Sequence, residues 1–388
     1  MKALHYTIAL LTVAGISSLL AAQSGVTETT VGSQYIWAGA GSVSTIVTFD
    51  ATNSTYSTNY STNTNVTVVA PEFQPSAVGS FVISSVATNT TNAILSLVGN
   101  PPVDSYGVPL ATNEFKYAGS NQPNTYYTIV TDGSLSGTVF TVVSNGTNSI
   151  TVITGSVPLK NGSIRAVELR PYWTLATMFP ANMATNSFVP TTNSTNVMTR
   201  LIIAPAFVVG VNSPQQSSPS YYFNASLTNW VNSTNPTVSA ADTIVPPGSY
   251  IYFQNDGGNL SYPVNIYLSG TSLKGLFRTP IYGSTNLIST CISLPRSSPY
   301  KLSQIGLNDS NFTQSLNKST LGRNDTLVID NGHGKSGGVY YKFRNQWYKV
   351  GDDAFSSDPT LAPGSAFRIA KPPSASGTSV LVNTNNIK

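Results

Sequence analysis

The sequence predicts an all-β protein: a small antiparallel barrel or sandwich followed by a tandemly duplicated β unit. Three observations predict it. After Val68, short runs of β-forming residues closed by Gly or Asn-Gly recur about every ten residues. Nothing longer than one turn carries a helical period, and 24 prolines with 30 glycines cut the chain into short pieces. Finally, one long pattern in the C-terminal half occurs twice.

The elements follow in order. Lys2, the apolar run Thr7 to Leu20 and then Ala21-Ala22 read as a secretory signal peptide over residues 1–22. The run is too short for a membrane span, and no later segment is long enough, so the mature chain is expected not to cross a membrane with a helix. The expected location is the cell surface, the periplasm or the exterior. Residues 23–67 form an Asn/Ser/Thr-rich segment with short strands at Gln34–Trp37 and Ser44–Phe49. Residues 68–165 read as the small β domain, built from runs such as VGSFVISSV, AILSLVG and GTVFTVVSNG. In the last of these, Val139, Thr141 and Val143 share one face, while Phe140 and Val142 share the other. Leu175 to Phe179 can form one helical turn before Pro180 stops it.

The duplicated unit is assigned to residues 166–262 and 263–372, with a tail at 373–388. The first copy carries Leu201-Ile202-Ile203, Tyr221-Tyr222, Trp230 and Pro247-Gly248. The second carries Leu327-Val328-Ile329, Tyr340-Tyr341, Trp347 and Pro363-Gly364. In each Pro-Gly pair, Pro presets the first central torsion of a type II turn and Gly supplies the positive φ that follows. Each turn should therefore join two strands. Alignment matches Ile251 with Phe367 and Phe253 with Ile369, which are apolar in both copies and expected inside. Tyr250 matches Ala366 and Tyr252 matches Arg368, so that face is expected outward or at an edge; Phe223 matches Lys342 and is expected outside, with Tyr222 and Tyr341 inside.

Charged residues are 9% of the chain, against roughly 25% in an ordinary soluble domain. Ser, Thr, Asn and Tyr carry the polarity instead. The C-terminal part from Asn161 has sixteen bases and nine acids, but the bases are scattered, so no nucleic-acid partner is expected. The expected partners are an envelope polysaccharide or other surface proteins. Cys291 is the only cysteine, which excludes an internal disulfide and suits a buried small side chain.

Residues with catalytic chemistry are scarce. Beyond the signal peptide the single histidine is His333, in NGHGKSGG. That loop departs from a phosphate-binding loop at Ile329, and no serine sits in a G-x-S-x-G elbow. The densest acid group, Asp352-Asp353 with Asp358, reads as a polar turn before it reads as a calcium loop. No catalytic residue, metal ligand or cofactor is nominated. Trp230, Trp347 and Tyr252 are the candidates for stacking on a glycan. Recurrence of the tryptophan in both copies favours a core role instead. The expected function is an exported structural or adhesive protein of the cell envelope or exterior, without enzymatic activity. Its rival is a carbohydrate-binding protein that uses exposed Tyr and Trp faces.

The stretches YWTLATMFP, NQPNTYYTIVTDG and NGHGKSGGVYYKFRNQWYKVGDDAFSSDPTLAPGSAFRIAK resemble an uncharacterised family of exported bacterial proteins, best populated among the Verrucomicrobia and their relatives. Members end in a similar Tyr-Tyr, Trp-x-Lys-Val, Pro-Gly, apolar-Arg pattern. The likeness runs from about Val68 to Lys371, and residues 31–67 depart from it. The resemblance implies export and a bacterial source, and it implies no activity.

Overall fold

In a computed structural model of the chain, the described residues are 31–38, 42–50, 55–63, 65–71, 73–89, 91–115, 124–154, 159–183, 188–195, 197–203, 219–255, 264–273, 275–282, 289–294, 299–318, 324–330, 336–352, 358–362, 365–372 and 378–385. The signal-peptide reading lies outside them. Residues Val31–Lys388 form one compact unit. The protein is nearly all β and contains a closed barrel, as its punctuation predicts.

Four strands come first: β1 (Val31–Ala38), β2 (Ser42–Asp50), β3 (Thr55–Asn63) and β4 (Asn65–Val69). The barrel follows, with β5 (Gly79–Thr88), β6 (Asn92–Leu97), β7 (Tyr126–Asp132), β8 (Val139–Asn145), β9 (Ser149–Ile153) and β10 (Ala166–Pro171). Its order is β10-β5-β6-β9-β8-β7, closed on itself. Alternation fills the interior: Phe140 and Val142 are buried on β8, while Val139 and Thr141 lie at the wall's outer side. Register shifts between β5 and β6, β8 and β9, and β10 and β7 bend the strands enough for six to close. Leu110 and Phe115 join the interior from the β6–β7 connection. Asn145 fastens that connection by donating to the Ala111 carbonyl and accepting from the Phe115 N–H.

Next come β11 (Trp173–Thr174), the one-turn helix α1 (Leu175–Met178), β12 (Thr199–Ile203), β13 (Ser220–Asn224), β14 (Asn229–Asn232), β15 (Asn235–Ser239), β16 (Ile244–Val245), β17 (Ile251–Asn255) and β18 (Val264–Thr271). The helix is where the sequence places it, and Thr174 caps it in a reciprocal box with Thr177. A sheet of order β15-β14-β13-β12-β17-β4 forms, and β1 pairs with β18 while β11 pairs with β16. The last group is β19 (Gly275–Tyr282), β20 (Ser289–Ser293), β21 (Tyr300–Lys301), β22 (Thr326–Asp330), β23 (Ser336–Phe343), β24 (Gln346–Lys349), β25 (Thr360–Leu361), β26 (Ala366–Ala370) and β27 (Thr378–Asn385). Here the sheet runs β24-β23-β22-β26-β20, β19 pairs with β27, and β21 pairs with β25.

These two assemblies, the first and second modules, have one strand order and one register. Leu201 stands opposite Phe253 and Tyr221, as Leu327 stands opposite Ile369 and Tyr340. Phe223 faces Trp230 across the ladder, as Lys342 faces Trp347. Ile251 faces Val69, as Phe367 faces Ile292. The terminal strands of each module pair antiparallel without a register shift, β1 with β18 and β19 with β27. Pro247-Gly248 makes the expected turn, with Gly248 at φ 81° and the Ser249 N–H donating to the Pro246 carbonyl at 3.0 Å. Pro363-Gly364 lies outside the described residues, though the Ser365 N–H donates to the Ala362 carbonyl in the same pattern.

Sheet membership crosses the segments expected from sequence. Strand β1, within 23–67, and β4, which runs across the 67/68 boundary, pair with β18 and β17; β18 lies in 263–372, and β27, from the tail, pairs with β19. The chain therefore leaves the first module after β4, builds the barrel, and returns at β11. Several bonds close that junction. Trp173 Nε1 donates to the Phe73 carbonyl at 2.9 Å, and Gln74 exchanges backbone bonds with Thr271. Arg170 is fully buried, pairs with Glu168 at 2.7 Å, and donates to the Pro75 carbonyl and Thr271 Oγ1.

Each module keeps its core on one face of its sheet. In the first, Leu201, Phe223, Trp230, Ile251 and Phe253 pack with Leu268 and Leu175. The second packs Leu327, Trp347, Phe367 and Ile369 with Leu381 and Leu302. The opposite face of the first sheet meets the second module, where Ile202, Tyr250 and Tyr252 cluster with Cys291 and Ala366. Ser293 locks this contact by donating its N–H to the Gly248 carbonyl and its hydroxyl to the Ser249 carbonyl.

Candidate functional site

The three residues singled out for glycan stacking are buried. Trp230 is 1% exposed, Trp347 4% and Tyr252 3%. Trp230 sits among Phe179, Phe188 and Phe223, and its Nε1 donates to the Phe179 carbonyl at 2.8 Å. Trp347 lies against Phe312, with the Lys342 ammonium 5.3 Å from its ring centre. Tyr252 packs edge-on to Tyr250 between the modules. The structure does not bring the three together, and none offers a ring face to a ligand.

Two expectations about faces are corrected. Phe223 belongs to the core with Trp230, whereas Tyr222 lies on the other face with Val197 and Val231. Lys342 stands in the same column, where its charge predicts an outward position. Its stem instead runs along Trp347 and its ammonium donates to the Leu307 carbonyl at 2.7 Å, so a charged residue sits over a core position. Burial pulls the Lys342 pKa down, and Asp309 acts in the opposite direction. Tyr252 is the second correction: the second module covers what is, for the first module alone, an outer face.

A cleft of ≈ 530 Å³ opens where the barrel and both modules meet. The barrel supplies Leu135, Val139, Thr141 and Ile153; the β16–β17 turn supplies Ile244, Pro246 and Pro247. Strand β19 supplies Phe277, Arg278, Thr279 and Pro280, and β27 adds Val380. Tyr172 and Phe277 form its apolar floor, backed by Tyr127, Ile129 and Leu273 in one packed cluster. The Tyr172 hydroxyl and Thr141 Oγ1 share a hydrogen bond of 2.9 Å. Burial pushes the Tyr172 phenol up to about 12, and the bond to Thr141 pulls the other way.

Strand β19 docks tightly on the barrel. The Arg278 N–H donates to the Gly137 carbonyl, while its guanidinium donates through Nε to Ser136 O at 2.7 Å and through Nη2 to Ser134 O at 3.1 Å. Gly137 has φ 87°, and a Cβ there would stand 2.6 Å from the Leu276 carbonyl oxygen, so glycine is required for this approach. Sequence reading passed over this site, because its walls come from segments scattered between Leu135 and Val380. The one local signal was Arg278 alone within the apolar stretch GLFRTPIY.

Among the described residues no group of three or more His, Cys, Asp or Glu could hold a metal ion. None of their helices is long and apolar enough to cross a membrane. His333, Lys335 and Asp353 lie outside the described residues. Cys291 is buried against Tyr250 and Tyr252, as its apolar run suggested. No protein-family model, curated protein or solved structure matches the chain.

Proposed function

We propose that the chain is an exported structural or adhesive protein of the cell envelope or exterior, and that its two modules descend from one duplicated β unit. The observation that supports this is where the aromatic residues go. Trp173, Trp230 and Trp347, with one tyrosine of each pair, Tyr221 and Tyr340, serve two like-registered cores, and Tyr250 and Tyr252 serve the contact between them. Such rings stabilise architecture and leave no stacking platform at Trp230, Trp347 or Tyr252. The barrel is tied at both its ends into the first module, which suits a load-bearing rod or base more than a mobile catalytic assembly.

Fractionation of cells that produce the full chain tests the reading. Recovery in the envelope or medium is expected, together with no turnover in a broad hydrolase screen. Retention in the cytoplasm, or reproducible turnover lost on heat denaturation, overturns it.

A further inference from the structure

We propose that the cleft between the barrel and the two modules binds an anionic amphiphile, a long-chain carboxylate whose chain lies over the apolar floor and whose head meets Arg278. Size is the first argument. At ≈ 530 Å³ the cleft falls within the roughly 300–1,000 Å³ of small-molecule sites, which favour junctions between domains. Its lining is the second. Apolar side chains from all three parts surround it, and Ile153 and Val380 at its margin are each 42% exposed. Three prolines, Pro246, Pro247 and Pro280, stiffen the walls, so little ordering cost accompanies binding.

Charge selects the ligand class. Among the described residues Arg278 is the only charged one in the lining. Its guanidinium is held by two neutral carbonyls, and neither of the ion pairs among the described residues involves it. A fixed, uncompensated positive charge beside an apolar cleft complements a carboxylate on a hydrocarbon chain. Thr279 adds a polar point: it is 3% exposed and its hydroxyl has no hydrogen-bond partner. A sugar fits poorly, since it needs many polar partners and the Thr141 and Tyr172 hydroxyls already satisfy each other.

Calorimetric titration of the full chain with palmitate and, separately, with hexadecanol tests the proposal. Palmitate is expected to bind saturably, and hexadecanol about tenfold or more weakly. Arg278→Gln should weaken palmitate by about tenfold, the loss expected with one charge-assisted hydrogen bond, and leave hexadecanol unchanged. Arg278→Lys, which keeps the charge, should retain most palmitate binding. Val380→Trp, a substitution at a half-exposed margin, should abolish binding of both with the thermal melt unchanged. No saturable palmitate binding, equal losses for acid and alcohol in Arg278→Gln, or palmitate binding indifferent to Val380→Trp would each overturn it. Failure of Arg278→Lys to bind palmitate while still folded would reduce Arg278 to a brace for the barrel turn and overturn it as well. Preferential binding of methyl glucoside over palmitate would do the same.

Discussion

The two modules solve the same packing problem with different chemistry at matching positions. In the first, Phe223 meets Trp230 edge to face at 5.5 Å; in the second, Lys342 takes the phenylalanine's place and lays its stem along Trp347. Two ladders further in, Thr199 donates to Asn255 Oδ1 at 3.2 Å, a buried neutral pair. Extending the shared register puts Asp325 and Lys371 at those positions, where they form a buried ion pair at 2.8 Å. Backbone register is thus held constant while the side-chain currency changes from neutral to ionic. Burying charge is costly, and the second module offsets it with extra bonds: Lys371 also donates to the Asn311 carbonyl, and Asp325 accepts from the Thr313 N–H.

Substitutions can break or sharpen this comparison. Trp230→Ala removes the centre of an aromatic cluster that cannot collapse inward, and should cost about 3–5 kcal/mol in urea denaturation. Trp347→Ala should cost less, because the flexible Lys342 stem can follow the void; equal losses would mean that the two environments are energetically alike. Lys371→Met leaves Asp325 charged and buried without its cation, with an expected loss of about 3–5 kcal/mol. Importing the first module's pair, as Asp325→Thr with Lys371→Asn, should return stability to within about 1.5 kcal/mol of the natural chain. A double variant no better than the single one would show that the two positions are not interchangeable.

Alkaline pH probes the first module and the barrel. Tyr172 stays protonated in the folded protein to about 12, against 10.0 for an exposed phenol, and burial also raises Tyr127 and Tyr250. Above pH 10 the unfolded chain therefore binds fewer protons than the folded one, and stability falls as pH rises toward 12. Each such tyrosine contributes a slope of about 1.4 kcal/mol per pH unit. Tyr172→Phe should flatten the decline of the thermal melt over this range, and an unaltered slope would contradict the assignment. The second module has Pro299 and Ala366 where the first has Tyr172 and Tyr250, so it should not add to this loss through those positions. The smallest effect is expected for Lys342→Met, within about 1.5 kcal/mol, since burial already disfavours the lysine's charge. A larger loss would show that the ammonium bond to the Leu307 carbonyl holds that corner of the core.

Much of the fold was legible because β-sheet periodicity and turn chemistry are local. The barrel strands, the capped turn at Leu175, the Pro-Gly bend and the residue-by-residue match between the modules all follow from short patterns. Faces were legible only where each side chain had one plausible environment. A lysine can bury its stem and keep its head hydrogen-bonded, so Lys342 misdirected the reading of Phe223. Tyr252 was misread because its cover comes from Cys291 and Ala366, on a different module. Pairings such as β1 with β18 leave no trace at sequence distances of this size, and the cleft at Arg278 is assembled from separate segments of the barrel and the two modules.

The excursion of the chain between β4 and β11 also fixes a timetable. During synthesis from the N-terminus, all six barrel strands are made before any of β11 to β18. Strand β1 must wait for β18 at Val264–Thr271, while every strand of the second module lies within Gly275–Asn385. The strands of the guest are thus complete ahead of those of its host, and β1 and β4 stay without their partners across the whole interval, a longer exposure than β19 undergoes before β27 is made.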